Sequence, residues 1–330
     1  MSSKIGVPRA LMYHYYYPMW KVFFNELGLE LKLSPKTNKK IIDQGVKIAV
    51  DDICLPFKAY YGHVLELKDK VDYLFVPRFV SLGNNNYVCP KFMGLPDMIR
   101  ANIKGLPKLI EPVIDLRKGF MPVMKTAREI GNIFNKGFWE IERAYRKAIK
   151  IQNIFEKIQT ESVTFDDAVN IVFDNQKKQT DYTEDNVEKL KIAVLGHAYI
   201  INDKYISMDI IKHLADMGLD VTTVEMYEHS SIESAAALQN KKLFWYFNRK
   251  VMGTAYHLLS DDSDSDIDGI VQVTAFGCGP DSLIKELIDI KGKRNNVSIL
   301  NINIDEHSGE TGLITRLEAF VDLLERRKLA

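Results

Sequence analysis

Short, β-branched apolar runs alternate along this chain with longer stretches whose apolar residues recur at helical spacing. The clearest run is 271–276, Val-Gln-Val-Thr-Ala-Phe, which is typical of a buried strand and leads directly into a glycine-bounded turn. Similar runs at 4–7, 71–77 and 191–195 are each followed by a loop and a helical pattern. This alternation predicts mostly parallel sheets with helices on their faces, and therefore an α/β fold.

The alternation is interrupted between residues 117 and 190. In this stretch the strand signals vanish, and charged residues interleave with apolar residues at helical spacing. A chain of 330 residues also exceeds one typical hydrophobic core. The sequence therefore predicts an N-terminal α/β domain over 1–116, a helical connection or lid over 117–190, and a C-terminal α/β domain over 191–330.

Three cysteines occupy similar positions in this pattern. Cys278 lies between two glycines after the run 271–276, and a proline follows two residues later. Cys54 and Cys89 are also followed by proline within two residues, and both are predicted to lie in loops at the carboxyl ends of strands, before a helix. A helix N-terminus lowers the pKa of a thiol and suits it to act as a ligand or nucleophile. Parallel α/β sheets bind their ligands at this edge, so the three cysteines are candidate site residues.

The residues leave three alternatives open for these cysteines. Three thiolates can hold three irons of a [4Fe–4S] cluster and leave the fourth iron open to a substrate. Three thiolates and a histidine can instead bind zinc. The third alternative is that the cysteines are small apolar residues of the core. The sequence contains no Cys-x-x-Cys pair, so any site must be assembled from distant segments.

Two titratable residues follow the last predicted strand. Glu306 and His307 are candidate proton donors beside a cluster-bound substrate, because Cys278 is expected at the same edge of the sheet. The alternative is that Asp305, Glu306 and Thr311 serve only to cap the last helix.

Basic residues and one histidine are predicted in other strand-end loops. Arg9, Lys58 and Arg78 are candidates to bind an anionic substrate or to offset the charge of a cluster, with surface salt bridges as the alternative. His197 follows a predicted strand and a glycine, so it is a candidate to bind substrate or to donate to the cluster or to its ligand. The alternative for His197 is a loop histidine satisfied by its neighbours.

The charge balance limits the classes of partner. The formal net charge is +0, which provides no basic field for nucleic acid. No apolar run approaches the length that spans a bilayer, and the first residues lack the apolar core of a signal peptide. We therefore expect a cytoplasmic protein that binds neither nucleic acid nor membrane.

Several segments resemble one protein family. They are Cys-Leu-Pro-Phe-Lys (54–58), Tyr-Val-Cys-Pro-Lys-Phe-Met-Gly-Leu-Pro-Asp (87–97), Phe-Gly-Cys-Gly-Pro-Asp-Ser (276–282), Ile-Asp-Glu-His-Ser-Gly-Glu-Thr-Gly-Leu-Ile-Thr-Arg-Leu-Glu-Ala-Phe (304–320) and the start, Ile-Gly-Val-Pro-Arg-Ala-Leu (5–11). Together they resemble the acyl-CoA dehydratase activase-related family, which is akin to the cluster-bearing subunits of 2-hydroxyacyl-CoA dehydratases and benzoyl-CoA reductases. The resemblance covers essentially the whole chain except the helical middle.

The resemblance implies a fold and a site. It implies two flavodoxin-like, doubly wound parallel-sheet domains that hold a [4Fe–4S] cluster, or a larger iron–sulfur cluster, between them. It also implies Cys54, Cys89 and Cys278 as the cluster ligands. The implied activity is the reduction or activation of a small molecule or acyl-CoA substrate at an open iron.

The resemblance also implies a partner. This is an ATP-hydrolysing iron–sulfur activator protein that supplies low-potential electrons, and either a homodimer or a heterodimer is compatible with the system. In many relatives the ATPase is fused to this domain, but this sequence has no Gly-rich phosphate loop of the P-loop type, so we expect a partner to hydrolyse ATP. The alternative functions are a non-catalytic, cluster-carrying electron-transfer subunit and a zinc-stabilised binding module.

Overall fold

The protein is built from alternating strands and helices. Its structure is a computed structural model, and the residues that the structure describes are 2–117, 119, 121–174, 189–239, 241–260 and 267–329.

The chain divides into two compact units. The first consists of Met1–Glu156 with Leu243–Tyr246, and the second consists of Lys157–Lys242 with Phe247–Ala330. Residues 175–188, which belong to the predicted helical connection, lie outside the described residues. The three-part division of the chain therefore stays a prediction.

The first unit alternates strands and helices from its N-terminus. Its strands are β1 (Lys4–Val7), β2 (Glu30–Leu33), β3 (Tyr73–Phe75), β4 (Arg78–Ser81), β5 (Lys108–Ile110) and β6 (Val113–Asp115). The helices up to and across the boundary at Glu156 are α1 (Tyr13–Glu26), α2 (Lys39–Ile48), α3 (Leu55–Leu67), α4 (Pro90–Met93), α5 (Leu95–Asn102), α6 (Met121–Ile133) and α7 (Phe138–Thr160).

The main sheet of the first unit is parallel. Its strand order is β2-β1-β3-β5, and Ile5 in β1 lies opposite both Leu31 and Tyr73. The third strand along the chain therefore joins the sheet on the other side of the first, which is how a doubly wound sheet begins.

A second parallel pair, β4 and β6, continues the ladder of β3 and β5. The amide of Val76 donates to the carbonyl of Ile110, and the amide of Arg78 donates to the carbonyl of Pro112, each at 2.9 Å. The ladder is divided between these two bonds because Pro112 has no N–H to donate to the carbonyl of Val76. Arg78 was predicted in a loop at the carboxyl end of a strand. That prediction is wrong, because Arg78 begins β4.

The second unit repeats the alternation. Its strands are β7 (Lys191–Leu195), β8 (Asp220–Thr223), β9 (Gly269–Ala275) and β10 (Ser298–Ile304). Its helices are α8 (Phe165–Asp174), α9 (Ala198–Ile201), α10 (Ile210–Asp216), α11 (His229–Ala236), α12 (Tyr246–Leu258), α13 (Gly279–Arg294) and α14 (Glu310–Leu329), with a 3-10 helix at Val224–Met226. Among the helices that the structure describes, none is both long and apolar enough to cross a bilayer.

The sheet of the second unit is also parallel, in the order β10-β9-β7-β8. Ile192 in β7 lies opposite Val221 of β8 and Gly269 of β9. Counted along the chain, both sheets place their strands in the order second, first, third, fourth. This is the order in which a flavodoxin-like sheet begins, and the predicted α/β fold with parallel sheets is confirmed.

Burial follows the strand order in the second unit. β9 is buried along its whole length, and β7 is buried except for Lys191. Both strands have a neighbour on each side and helices over their faces, so their near-continuous apolar sequences are required by their position. The edge strands β8 and β10 are only partly buried.

Two glycines set how closely α2 and α3 pack in the first unit. A Cβ atom on Gly45 would lie 1.8 Å from the carbonyl oxygen of Lys58, and one on Gly62 would lie 1.9 Å from the carbonyl oxygen of Ile41. Backbone atoms cannot move aside as the end of a flexible side chain can. Glycine is therefore required at both positions.

Gly62→Ala should lower the free energy of unfolding by about 1–3 kcal/mol or more, because the added methyl group forces the two helices apart. Gly312→Ala is the matched control in α14, where a Cβ atom would meet nothing within 4 Å. There alanine should stabilise the protein by about 0.5–1 kcal/mol through its higher helix propensity. Urea unfolding measures both changes, and equal effects of the two substitutions would contradict the packing argument.

A buried histidine links the loops that follow β1 and β2. Nδ1 of His63 lies 2.8 Å from Ser34 Oγ, and its Nε2 lies 3.0 Å from Thr37 Oγ1. The amide of Arg9 donates to the same Ser34 hydroxyl at 2.9 Å. Burial, followed by repulsion from His14 and Arg9, lowers the pKa of His63 from 6.5 to about 3. His63 is therefore neutral in the folded protein at physiological pH.

This lowered pKa makes stability depend on pH. The unfolded chain protonates His63 first as the pH falls, so its contribution is complete above pH 6.5 and is lost between pH 6.5 and about 3. The loss is at most about 1.4 kcal/mol per pH unit. In unfolding measured from pH 7 to pH 4, the wild type should lose stability more steeply than His63→Gln. His229→Gln, at an exposed histidine of α11, should keep the wild-type slope; an unchanged slope in His63→Gln would refute the assignment.

Candidate functional site

Each of the three cysteines is the residue immediately before a helix. Cys54 precedes α3, Cys89 precedes α4 and Cys278 precedes α13, and in every case a proline occupies the first or second helical position. Proline is tolerated there because its missing N–H would have had no partner in the helix. Each thiol therefore stands at the positive end of a helix dipole, where a thiolate is favoured.

Cys54 does not follow a strand, so that part of the prediction is wrong. α2 begins after Asn38, whose side chain accepts a hydrogen bond from the amide of Ile41 at 3.2 Å, and it continues to Ile48. Cys54 is buried and lies in the turn between α2 and α3. Since α3 leads back to the start of the parallel strand β3, its N-terminus still lies on the side of the sheet where the strands end.

Cys89 follows β4 and the loop 82–88, and it is half-buried. The rings of Phe57 in α3 and Phe92 in α4 meet edge to face, with centroids 5.0 Å apart. Each phenylalanine stands three residues after its cysteine, so the starts of α3 and α4 are neighbours. The fold thereby brings Cys54 and Cys89 to one region of the first unit.

Cys278 lies in a tight turn after β9. Gly277 has a φ of 76°, and the amide of Cys278 donates to the carbonyl of Ala275 at 3.1 Å. The amide and the hydroxyl of Ser282 both donate to the carbonyl of Cys278, each at 3.1 Å. Because glycine adopts positive φ without steric cost, the chain reverses here directly into α13.

The loop after β7 begins beside this turn. β7 and β9 are neighbours, with Leu195 opposite Gln272. A Cβ atom on Gly196 would lie 2.7 Å from the carbonyl oxygen of Val273, so glycine is needed for β7 to end this close to β9. The strand order reverses between β7 and β9, and doubly wound sheets bind their ligands at such a reversal.

Three buried polar side chains form a network at this reversal. Nε2 of His197 lies 2.8 Å from Oδ1 of Asp281, and the side-chain amide of Asn248 donates to the same oxygen at 2.6 Å. An ionised carboxylate only accepts, so His197 donates its Nε2–H. The three side chains are at most 4% exposed. Each hydrogen bond is therefore made away from water, where it is stronger.

Cys278 stands next to this network. His197, Cys278 and Asp281 each offer a ligand atom, and these atoms lie within 4.8 Å of one another. Among the described residues, Nδ1 of His197 and Oδ2 of Asp281 have no hydrogen-bond partner. The arrangement combines a thiol, an imidazole and a carboxylate, which is a donor set that suits a transition metal.

The sequence pointed to only part of this cluster. It singled out His197 and Cys278, but not Asp281 or Asn248 as site residues. Asp281 carried one signal, its position in the first turn of the helix after Cys278. Asn248 carried none, because α12 contributes it from 33 residues away along the chain.

The equivalent strand reversal of the first unit is lined by apolar side chains. Its strand order reverses between β1 and β3, and a small pocket lies where these two strands end. The side chains that line it are apolar and include Val7, Pro8, Phe75 and Pro77. The two units therefore share a strand order but not the chemistry at the reversal.

The predicted basic residues have different surroundings in the first unit. Arg78 donates to the carboxylate of Asp97 at 2.7 Å and to the carbonyl of Met93 at 2.6 Å, and the hydrogen bond with Asp97 raises the pKa of Arg78. Arg9 is half-buried and follows β1. Lys58 was predicted in a strand-end loop, and that prediction is wrong, because Lys58 is buried in α3. The roles of these three residues toward a substrate stay predictions.

The turn after β10 holds Glu306 and His307. Oδ1 of Asp305 accepts from the amide of His307 and from the hydroxyl of Ser308, both at 2.9 Å. Burial acts to raise the pKa of Asp305, but the hydrogen bonds from Ser308 and His307 outweigh it and lower the pKa. β10 pairs with β9 to its end, so this turn lies at the same sheet edge as the turn after β9. Catalytic roles for Glu306 and His307 stay a prediction.

A comparison with protein families identifies one match. The family model is described as the CoA enzyme activase uncharacterised domain, DUF2229, and it matches residues 4–227, more than half of the chain. The chain belongs to this family. The match confirms the resemblance to acyl-CoA dehydratase activase-related proteins and implies a partner within a dehydratase system. No curated protein matches the sequence.

The family match covers only part of the candidate site residues. Cys54, Cys89 and His197 lie within the matched segment, whereas Asn248 and Cys278 lie beyond it. Family membership therefore bears on two of the cysteines, and the chemistry at Cys278 depends on the surroundings that the structure describes.

Asp281→Ala should lower the free energy of unfolding by at least about 2 kcal/mol, because His197 and Asn248 would each keep a buried donor without an acceptor. Asp216→Ala is the matched control, since Asp216 pairs with Lys212 on the surface and both side chains are more than half exposed. That exposed pair should contribute at most about 0.5 kcal/mol. Denaturant unfolding measures the free energy of unfolding of both variants. A similar loss of this free energy in both would contradict the network.

Proposed function

We propose that this chain is an iron–sulfur protein of an acyl-CoA dehydratase or benzoyl-CoA reductase type of system. In this proposal Cys54, Cys89 and Cys278 hold a [4Fe–4S] cluster or a larger iron–sulfur cluster. The observation that carries the proposal is that all three cysteines precede helices with proline in the first turn. Membership of the CoA enzyme activase family supports the assignment of Cys54 and Cys89, which lie within the matched segment.

The donor set fits such a cluster. Cysteine thiolates are the ligands that hold iron–sulfur clusters in proteins, and the first turn of a helix lowers the free energy of a thiolate. When bound, the cluster would supply one-electron chemistry and, with three protein ligands, one iron open to a substrate oxygen. The contribution of the protein is to keep the three thiols deprotonated and oriented.

Residues around the cysteines have proposed roles toward the substrate. We assign the binding of an anionic small molecule or acyl-CoA to Arg9 and Lys58, and proton donation to Glu306 and His307. Arg78 is a weaker candidate, because Asp97 already accepts from its guanidinium. Substituting Arg9 by Gln should therefore weaken substrate binding without removing the cluster.

The proposed partner is an ATP-hydrolysing iron–sulfur activator in the cytoplasm. In this proposal the activator hydrolyses ATP and supplies the low-potential electrons, and this chain accepts them. A chain that accepts electrons from such an activator but turns over no acyl-CoA would be the non-catalytic, cluster-carrying subunit. Measuring reduction of this chain by the activator, with and without an acyl-CoA substrate, distinguishes the catalytic from the non-catalytic function.

Protein prepared without oxygen should contain about four irons and a matching amount of acid-labile sulfide per chain, with a paramagnetic signal after reduction. Cys54→Ser, Cys89→Ser and Cys278→Ser should each lose most of this iron. Ser282→Ala, at an exposed residue of the same helix start as Cys278, should keep it.

Two outcomes would refute this assignment. One is a full cluster in any of the cysteine variants. The other is zinc in near-stoichiometric amount with no sulfide, which would favour a zinc-stabilised binding module.

A further inference from the structure

We propose that Cys278, His197 and Asp281 bind one divalent metal ion within the second unit. All three residues, and Asn248 beside them, belong to this unit. The proposed site needs neither Cys54 nor Cys89, so it goes beyond the proposed cluster and does not rest on it. Zn²⁺ and Fe²⁺ are the ions that this donor set suits.

The separations of the donor atoms fit one ion. Zinc binds sulfur at about 2.3 Å and nitrogen at about 2.0–2.1 Å, which places sulfur and nitrogen roughly 3.6 Å apart on one tetrahedral ion. The three donor atoms of Cys278, His197 and Asp281 lie within 4.8 Å of one another. They therefore need to move by only about an ångström to reach a common ion.

Unused lone pairs give a second and independent observation. Asp281 Oδ1 accepts from both His197 and Asn248, yet Oδ2 of Asp281 has no partner among the described residues. Nε2 of His197 lies 2.8 Å from Oδ1 of the same carboxylate, so it is the ring nitrogen that can share an ion with Asp281. The ion then replaces the proton on Nε2, and the neutral ring carries its proton on Nδ1. Both side chains are 3% exposed. A buried acceptor without a donor is unfavourable, and a cation satisfies a lone pair as a donor does.

Charge balance also favours a divalent ion. The thiolate of Cys278 and the carboxylate of Asp281 together carry two negative charges, which a divalent cation neutralises. The N-terminus of the 16-residue helix α13 favours the thiolate further. A neutral complex is much easier to bury than an isolated anion.

The identity of the ligands indicates the class of metal. Sulfur and imidazole ligands select zinc and iron, whereas magnesium and calcium prefer oxygen ligands alone. Three protein ligands leave a fourth position on a tetrahedral ion for water or for a substrate oxygen, as in catalytic zinc sites. Asn248 does not ligate the ion in this proposal; its amide holds Asp281 in place.

The mononuclear site and the proposed cluster share one thiolate. A chain whose Cys278 ligates a cluster therefore does not hold the mononuclear ion, and the two centres are alternatives at one position. They are distinguishable because the cluster requires sulfide, Cys54 and Cys89, whereas the mononuclear ion requires His197 and Asp281.

Cobalt(II) titration of the full, reduced and metal-stripped chain tests the proposal, because a cobalt–thiolate bond absorbs strongly. We expect one cobalt per chain, a thiolate charge-transfer band, and displacement by zinc. Cys278→Ser should abolish the band, and His197→Gln and Asp281→Asn should weaken cobalt binding at least tenfold. Asn248→Ala should weaken it by about 10–100-fold, the usual effect of removing a group that orients a ligand.

Matched controls separate this site from others. His213→Gln removes the histidine that pairs with Glu310 at 2.9 Å elsewhere in the second unit, and it should leave cobalt binding unchanged. Cys54→Ser and Cys89→Ser should also leave it unchanged. Circular dichroism of each variant confirms that the fold is retained.

Two results would overturn the proposal. One is the absence of a thiolate band in the folded wild type. The other is loss of the band in Cys54→Ser or Cys89→Ser, which would mean that the ion binds at a shared cysteine centre. Iron and sulfide, measured on a separate sample prepared without oxygen, show independently whether the protein holds a cluster. Either proposal can therefore fail while the other stands.

Discussion

The parallel pairing of β7 with β9 is the constraint on which the candidate site depends. Parallel neighbours end at the same edge of a sheet, so the loops that follow them must share space. Gly196 allows the end of β7 to approach the carbonyl of Val273, where any larger residue would clash. His197 and Cys278 follow these two strands directly. Their proximity is therefore a consequence of backbone hydrogen bonding and of one missing side chain.

The two units use one strand order for different purposes. In both, the order reverses between the first and third strands, which creates a cleft at the carboxyl edge. The first unit fills this position with apolar side chains such as Val7 and Phe75 and carries its cysteines at the starts of α3 and α4. The second unit places polar side chains there. The two units have similar topology, so the chemistry of each one depends on the residues at its sheet edge.

Much of the fold could be predicted from the sequence because strands and helix starts depend on neighbouring residues. The strand predicted at 191–195 is β7, and every cysteine precedes a helix as its proline indicates. The failures have local causes as well. The strand predicted at 71–77 does not end at Pro77: beyond the break opposite Pro112 it continues as β4, so Arg78 begins a strand instead of lying in a loop. α2 extends to Ile48, which leaves Cys54 between two helices.

The sequence by itself determined the alternation of strands and helices, the parallel sheets that this requires, and the placement of each cysteine before a helix. Only the tertiary structure decided that Asp281 and Asn248 join His197 beside Cys278. The physical reason is distance along the chain: His197 and Asp281 are 84 residues apart, and Asn248 and Asp281 are 33 apart. Periodicity and capping act over a few residues, whereas this network forms only when packed elements bury all three polar groups together and leave them to satisfy one another.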